Sequence, residues 1–187
     1  MLGLRSSIFQ SALEIIPQAG FTADMLVKAC KNANISPGVL SVACPDGPVH
    51  VVNHIIHKAN ASGLEKVRKL TQFSSGECFK DPSCIIQLGM LERFRYIFPF
   101  AEHWGEAMLL VTKYSKVKAL LDFGLFIDEL FFHASAGAEF SFLRKHIQGS
   151  ALGAISLSTE LYLIRDSSPG KMQTELFLKG LVRSTFK

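Results

Sequence analysis

The chain has 187 residues and a formal net charge of +4, with 48% hydrophobic residues and 15 Phe against 3 Tyr and 1 Trp. That length suits one domain, or one domain with a small appendage. The charge tolerates an anionic surface without demanding nucleic acid, and the Phe-rich content suits a large core, a lipid pocket or a buried interface. No membrane-spanning helix is expected: spanning takes about 20 consecutive apolar residues, and the densest stretch, Leu120–Phe132, is interrupted by Asp122, Asp128 and Glu129.

Apolar residues recur at helical spacing and sustained alternation is missing, so the expected fold class is all-α. A first helix runs from about Arg5 to Ile16, with Ile8, Phe9, Ala12, Leu13 and Ile16 on one side, and Pro17 and Gly20 end it. Thr22 caps a second helix from Ala23 to about Lys31, with Met25, Leu26 and Ala29 turned inward. Ser36 caps a short third helix with Pro37 at its first position. Pro45-Asp46-Gly47-Pro48 is a turn, and a fourth helix extends from Val49 to about Leu70. The polar segment Thr71–Ser83 reads as a loop. Long apolar helices follow at Ile85–Phe98, around Glu102–Val111, at Val117–Ala134 and at Ser141–Arg165.

Asp166-Ser167-Ser168-Pro169-Gly170 then forms a flexible stop, and a basic amphipathic helix begins near Lys171. Phe177, Leu178, Leu181 and Val182 share one face of it, and Lys179, Arg183 and Lys187 take roughly the opposite face. Such a helix closes a core, holds a partner or lies on a membrane. The organisation predicts three parts: a helix-turn-helix-like segment over 1–48, a helical domain over 49–168 and the terminal helix over 169–187.

Cys30, Cys44, Cys78 and Cys84 form no C-x-x-C pair, which points to free thiols in a reducing compartment. The opening MLGLRSSIF is too short for a signal peptide and leaves little room for a transit peptide. Asn60-Ala61-Ser62 matches a glycosylation sequon by chance. His50, His54 and His57 share a helix face that can bind a metal, but a polar face of a surface helix is the plainer reading. Glu129 and His133 lie one turn apart without the repeated Glu-x-x-His pairs of a carboxylate-bridged metal site. No Gly-rich phosphate loop and no nucleophile–base pair is legible, so no catalytic residues, metal or cofactor are expected. Gly149 and Gly153 form G-x-x-x-G, continued by Ser150, Ala154 and Ser158, which suits close helix packing or room for a ligand. Glu160 sits in an apolar turn and is expected to face solvent or to pair with an arginine such as Arg93 or Arg95.

The stretch SALEIIPQAGFTADMLVKACKNANISPGVL resembles the N-terminal domain of TetR-type regulators, which read DNA with the third helix. Here that helix, Pro37–Ala43, lies in a run from residue 32 to 57 without Lys or Arg, so the phosphate-neutralising chemistry of DNA binding is missing. The second half is more specific. GMLERFRYIFPFAEHWGEAM, FIDELFFHASAGAEFSFLRKH and STELYLIRDSSPG, followed by the amphipathic helix, resemble the mitochondrial and alphaproteobacterial lipid-binding accessory protein of ubiquinone (coenzyme Q) biosynthesis.

That resemblance implies a TetR-like, homodimeric fold that binds isoprenoid or quinone lipid and no nucleic acid. It implies a non-catalytic protein that presents substrate to demethoxyubiquinone hydroxylase, within the ubiquinone-biosynthesis complex at the matrix face of the mitochondrial inner membrane. The terminal helix, through Phe177, Leu178, Lys179, Leu181, Val182, Arg183 and Lys187, would engage the membrane. The enzyme-facing patch maps to Asp128, Glu129, Leu130 and Phe131, where Phe131 replaces the family's Trp, and the chain is one residue shorter around Ala136–Ala138. Lipid-lining candidates, chosen as large residues on cavity-forming helices, are Phe94, Ile97, Phe98, Trp104, Met108, Phe123, Phe126, Ile127, Leu152, Ile155 and Leu161. The alternative readings are a TetR-type ligand-responsive transcriptional regulator and, further off, an uncharacterised hydrolase or metal enzyme.

Overall fold

The computed structural model describes residues 2–73, 82–134 and 142–186, and every regular element among them is helical. The chain divides into two compact units, Met1–Ile56 with Pro99–Ala119, and His57–Phe98 with Leu120–Lys187.

In the first unit, α1 (Leu2–Ala19) buries Ile8, Phe9, Ala12 and Ile16. It packs on α2 (Ala23–Asn32), which buries Met25, Leu26, Ala29 and Cys30. Pro17 does not end α1 as expected. Its ring removes one donor in the last turn, but the Ile16 carbonyl still accepts from Gly20 N at 2.9 Å, and the helix reaches Ala19. The stop is Gly20, with φ +66; a Cβ there would lie 2.6 Å from Glu106 Oε2 and 2.9 Å from His103 Nδ1. Thr22 caps α2 as expected, accepting from Met25 N at 3.1 Å. Ser36 does not cap with its side chain; the chain instead tightens into a 3₁₀ turn (Pro37–Val39) before the single turn α3 (Leu40–Ala43). The unit also holds the start of α4 (Val49–Phe73), a 3₁₀ stretch at Phe98–His103, and α6 (Trp104–Tyr114).

The second unit is built from the rest of α4, α5 (Pro82–Ile97), most of α7 (Lys116–Ala134), α8 (Phe142–Arg165) and α9 (Met172–Thr185). The expected loop over 71–83 is shorter on both sides, since α4 runs to Phe73 and α5 starts at Pro82. Helices α4 and α5 cross closely enough that a Cβ on Gly63 would meet the Gly89 carbonyl oxygen at 2.5 Å. Helix α8 buries Leu152, Ile155, Ser156, Thr159 and Leu163 along one stripe, while Ile147, Leu157, Leu161 and Ile164 stand exposed. The G-x-x-x-G pair lies against α7: a Cβ on Gly149 would be 3.6 Å from Ile127, and on Gly153 4.0 Å from Phe123.

The stop between α8 and α9 is held shut rather than loose. Asp166, 5% exposed, accepts from Ser168 N at 2.8 Å and from Thr174 N and Oγ1 at 2.8 and 2.6 Å. Gly170 (φ 61) and Lys171 (φ 59) turn the chain back through left-handed backbone so that Thr174 can reach it. Burial alone would raise the Asp166 pKa, but the hydrogen bonds from Ser168 and Thr174 hold it far below the usual carboxylate range.

Candidate functional site

The apolar interior of the second unit gathers most of the expected lipid-lining residues. Phe94, Ile97, Phe126, Ile127, Leu152 and Ile155 are buried there, and Phe98 and Phe123 are half-buried. Leu161, also in this unit, is 54% exposed and faces away from that interior. Trp104 and Met108 lie in the first unit; Trp104 is buried, and its Nε1–H has no hydrogen-bond partner among the described residues.

A polar knot sits inside this apolar set. Arg93, 4% exposed, donates to Asn60 Oδ1 at 2.9 Å, to Ser156 Oγ at 3.2 Å and to Glu160 Oε1 at 3.0 Å. Its guanidinium lies over the rings of Phe94 and Phe123, at 5.1 and 5.2 Å from their centroids. Of the two arginines offered to Glu160 by the sequence, Arg93 takes it, while Arg95 pairs with Glu175 on α9 at 2.8 Å. Asn60 and Ser156 were not legible as partners, because only the fold brings α4, α5 and α8 to one point.

The four residues of the expected enzyme-facing patch do not form one surface. Asp128 is exposed, and Glu129 is half-buried and pairs with Arg68. Leu130 and Phe131 point inward, at 0% and 3% exposure, and the Phe131 ring lies 6.2 Å from that of Phe186. The register of α7 accounts for this placement: Phe126, Ile127, Leu130, Phe131 and Ala134 form its buried stripe, while Leu121, Leu125 and Phe132 take the outer face. The residues around Ala136–Ala138 lie outside the described residues, as does Lys187.

The expected membrane face of α9 is turned into the second unit. Leu178 and Val182 are fully buried, Phe177 stacks on Tyr162 at 4.5 Å between centroids, and Leu181 is half-buried. Helix α9 packs on α5 and α8. Lys179 lies 3.6 Å from Glu175, Arg183 is exposed, and the apolar residues that α9 does expose are Met172 and Leu176. The Arg95 guanidinium beside Glu175 holds that carboxyl below its ordinary pKa.

In the first unit, α3 carries no cation and buries no side chain. The His54 ring lies tilted against that of Phe9, 5.1 Å between centroids, and His50 is engaged by Arg5 at 2.9 Å. No group of three metal-ligating side chains occurs among the described residues, and no described helix is long and apolar enough to cross a membrane. Two openings of about 590 and 540 Å³ lie in this unit, one beside Arg5, His50 and Lys113–Lys118, the other beside Leu4, Val39 and Val42. Neither is lined by any expected lipid-lining residue.

No protein-family model matches the chain. It is 27% identical over 184 residues to "Ubiquinone biosynthesis protein COQ9, mitochondrial" of Drosophila melanogaster, covering 95% of the chain and 53% of that protein. It is 26% identical over 183 residues to the human protein of the same name, covering 96% of the chain and 56% of that protein. The Schizosaccharomyces pombe protein is 26% identical over 188 residues, covering 97% of the chain and 69% of that protein. The chain thus spans little more than half the length of the animal relatives. In structure it resembles the crystal structure of a TetR transcriptional regulator from Nitrosomonas europaea, with a TM-score of 0.66 at 15% identity and 98% of each chain covered, a likeness of fold alone. Through relatives aligned along nearly its whole length, the chain is homologous to the ubiquinone biosynthesis proteins COQ9, and its fold is all-α and TetR-like.

Proposed function

We propose that the chain acts in ubiquinone biosynthesis as a lipid-binding accessory protein, not as a catalyst. The observation that carries this reading is the similarity to COQ9 proteins over 95% of the chain. In this reading it binds an isoprenoid or quinone lipid and presents substrate to demethoxyubiquinone hydroxylase, at the matrix face of the mitochondrial inner membrane. An isoprenoid tail gains about 0.8 kcal/mol for each CH₂ taken out of water, so its receptacle must be as apolar as the bilayer it leaves. The Phe94–Ile97–Phe126–Leu152 interior of the second unit offers that chemistry.

Membrane docking by α9 belongs to the same proposal and has a condition. Its apolar face is seated on α5 and α8, so docking exchanges protein contacts for lipid contacts, a shift set by the difference in affinity of the two states. Leaving its seat would free Leu178 and Val182 for the bilayer and uncover the helices beneath. Asp128 and Glu129 are the members of the enzyme-facing patch with surface to offer, so contact with the hydroxylase falls to them first. The exposed strip of α8, with Ile147, Leu157, Leu161 and Ile164 between the small residues Ser150, Ala154 and Ser158, suits the close approach of a second copy and supports a homodimer.

Native mass spectrometry of protein purified without harsh detergent tests the lipid role. A co-purifying isoprenoid or quinone is expected; protein that arrives empty and takes up no quinone from vesicles would overturn it. Leu181→Glu should end α9-dependent co-sedimentation with vesicles while leaving the helical spectrum intact. The second reading, a ligand-responsive transcriptional regulator, draws on the fold shared with the Nitrosomonas protein. It is opposed by α3, which has no Lys or Arg to meet phosphate. A specific complex in a low-salt gel shift would favour it.

A further inference from the structure

Helix α3 and the 3₁₀ turn before it are apolar where the core does not need them. Together they run Pro37-Gly38-Val39-Leu40-Ser41-Val42-Ala43, and neither element buries a side chain. Val42 is 64% exposed. Single apolar side chains on a surface need no explanation, but apolar side chains gathered in a concavity mark a binding groove. Here they are gathered. Val39, Val42 and Ala43 line the opening of about 540 Å³ together with Leu4 of α1, itself 43% exposed. Gly38 lines it too and leaves it room: a Cβ there would meet nothing nearer than Ser36 Oγ, at 3.7 Å.

Arg5 lines the same opening and is the one charged residue that does. From residue 32 to 57 the sequence has no Lys or Arg and a single acid, Asp46. Two rings orient the Arg5 guanidinium. It donates to His50 Nδ1 at 2.9 Å and lies over the Phe9 ring, 5.2 Å from its centroid. Burial and then the Arg5 charge hold the His50 pKa below its ordinary value, so the imidazole that accepts from Arg5 is neutral at pH 7. Asp46 stands at the other ring nitrogen, its Oδ2 3.4 Å from Nε2. The guanidinium is thus held in place by neutral partners, with its charge at the edge of an apolar groove.

Size selects the kind of occupant. The volume falls within the range of about 300–1,000 Å³ typical of small-ligand pockets. A protein partner or a second copy needs about 800 Å² on each side, more than the first turns of α1 and the short α3 segment present. Duplex DNA would find one cation here for its phosphates. Charge selects the rest. One guanidinium matches one monovalent carboxylate, which takes two of its N–H donors in a plane, whereas a phosphate monoester brings nearly two charges.

We propose that the groove between α1 and α3 binds a fatty carboxylate, with the carboxylate on Arg5 and the chain along Leu4, Val39 and Val42. The site belongs to the first unit. It is separate from the lipid interior proposed for the second and stands or falls without it.

Photolabelling with a diazirine-bearing dodecanoate, followed by peptide mapping, tests the place. Label is expected on the peptides that carry Leu4 and Val39–Ala43. Label confined to 57–98 and 120–187 would leave the lipid interior as the site and overturn the groove. Titration calorimetry tests the chemistry, with dodecanoate against dodecanol. Arg5→Gln should weaken dodecanoate about tenfold at the groove and leave dodecanol unchanged; an equal loss for both, or none for either, would overturn the role given to Arg5. Val42→Asp alters an exposed position, so the thermal midpoint should hold while groove labelling disappears. Labelling that survives Val42→Asp overturns the site. So does sedimentation showing a wild-type dimer that Val42→Asp dissociates and dodecanoate does not, because the groove would then be covered by a second copy.

Discussion

Two helix connections in this chain solve opposite problems. Between α8 and α9 a carboxylate is buried, and three donors converge on it. Between α6 and α7 the chain turns at Ser115 with lysines and apolar side chains pointed outward, two of the cations at the wrong end of a helix dipole. Every polar atom named in the first connection stabilises the fold. In the second, Ser115 and Asn53 hold the turn on α4 by one side-chain hydrogen bond. The motif Asp-Ser-Ser-Pro-Gly is accounted for by its own hydrogen bonds.

The sharpest way to break this contrast is Asp166→Ala. It leaves the Ser168 and Thr174 donors without their acceptor and should cost about 4 kcal/mol, read as a fall in the urea midpoint together with release of α9. Acid should act on the same contact. The folded pKa of Asp166 is depressed below the ordinary value of 3.8. Its contribution to stability is therefore complete above that value and is lost as pH falls through and below it. Asp166→Asn should flatten that part of the acid-unfolding curve. Next in size is Arg93→Met, about 3 kcal/mol, because Asn60, Ser156 and Glu160 lose a buried donor set. Glu160 is 15% exposed and regains some water, so adding Glu160→Leu should recover most of the loss.

Much of the helical order was legible from local chemistry: Thr22 at a cap, Gly20 at a stop, the long apolar helix that becomes α8. The failures have specific causes. Pro17 was read as a terminator because a ring is costly inside a helix, yet in the last turn it removes a single donor. Phe131 was placed in the enzyme-facing patch by the family resemblance, and periodicity offered no check, because Leu121, Leu125 and Phe132 compete with Phe126, Leu130 and Phe131 for the inner stripe of α7. The apolar face of α9 was legible, but its cover was not, since that depends on where α5 and α8 lie. Asp166 looked like a turn residue; its main partner, Thr174, is eight positions on and is reached only through left-handed Gly170 and Lys171. The cleft at Arg5, His50 and Lys113–Lys118 joins distant parts of the chain and has no sequence signature at all.

A smaller effect tests how firmly α9 is seated. Arg95 holds Glu175 of α9 at 2.8 Å and Glu92 of its own helix at 2.9 Å, with 47% of its side chain exposed. Screening by solvent limits such a pair, and Arg95→Gln should cost about 1 kcal/mol, less at high salt. If α9 leaves its seat to meet lipid, the same change should raise vesicle binding by the Phe177–Val182 face. Hydrogen exchange over 172–185 would register the loosening, and unchanged protection would mean that Leu178 and Val182 alone hold the helix down.

The smallest effect has the most informative sign. Removing a charge from a protein surface usually does nothing, or costs a little. Lys116→Gln should instead stabilise the first unit by about 0.3 kcal/mol, because a cation leaves the positive end of α7. The gain should shrink with added salt, since it is electrostatic and exposed. It is a small shift in thermal midpoint, measurable against Lys66→Gln on α4, a control lysine in the middle of a helix, where no gain is expected.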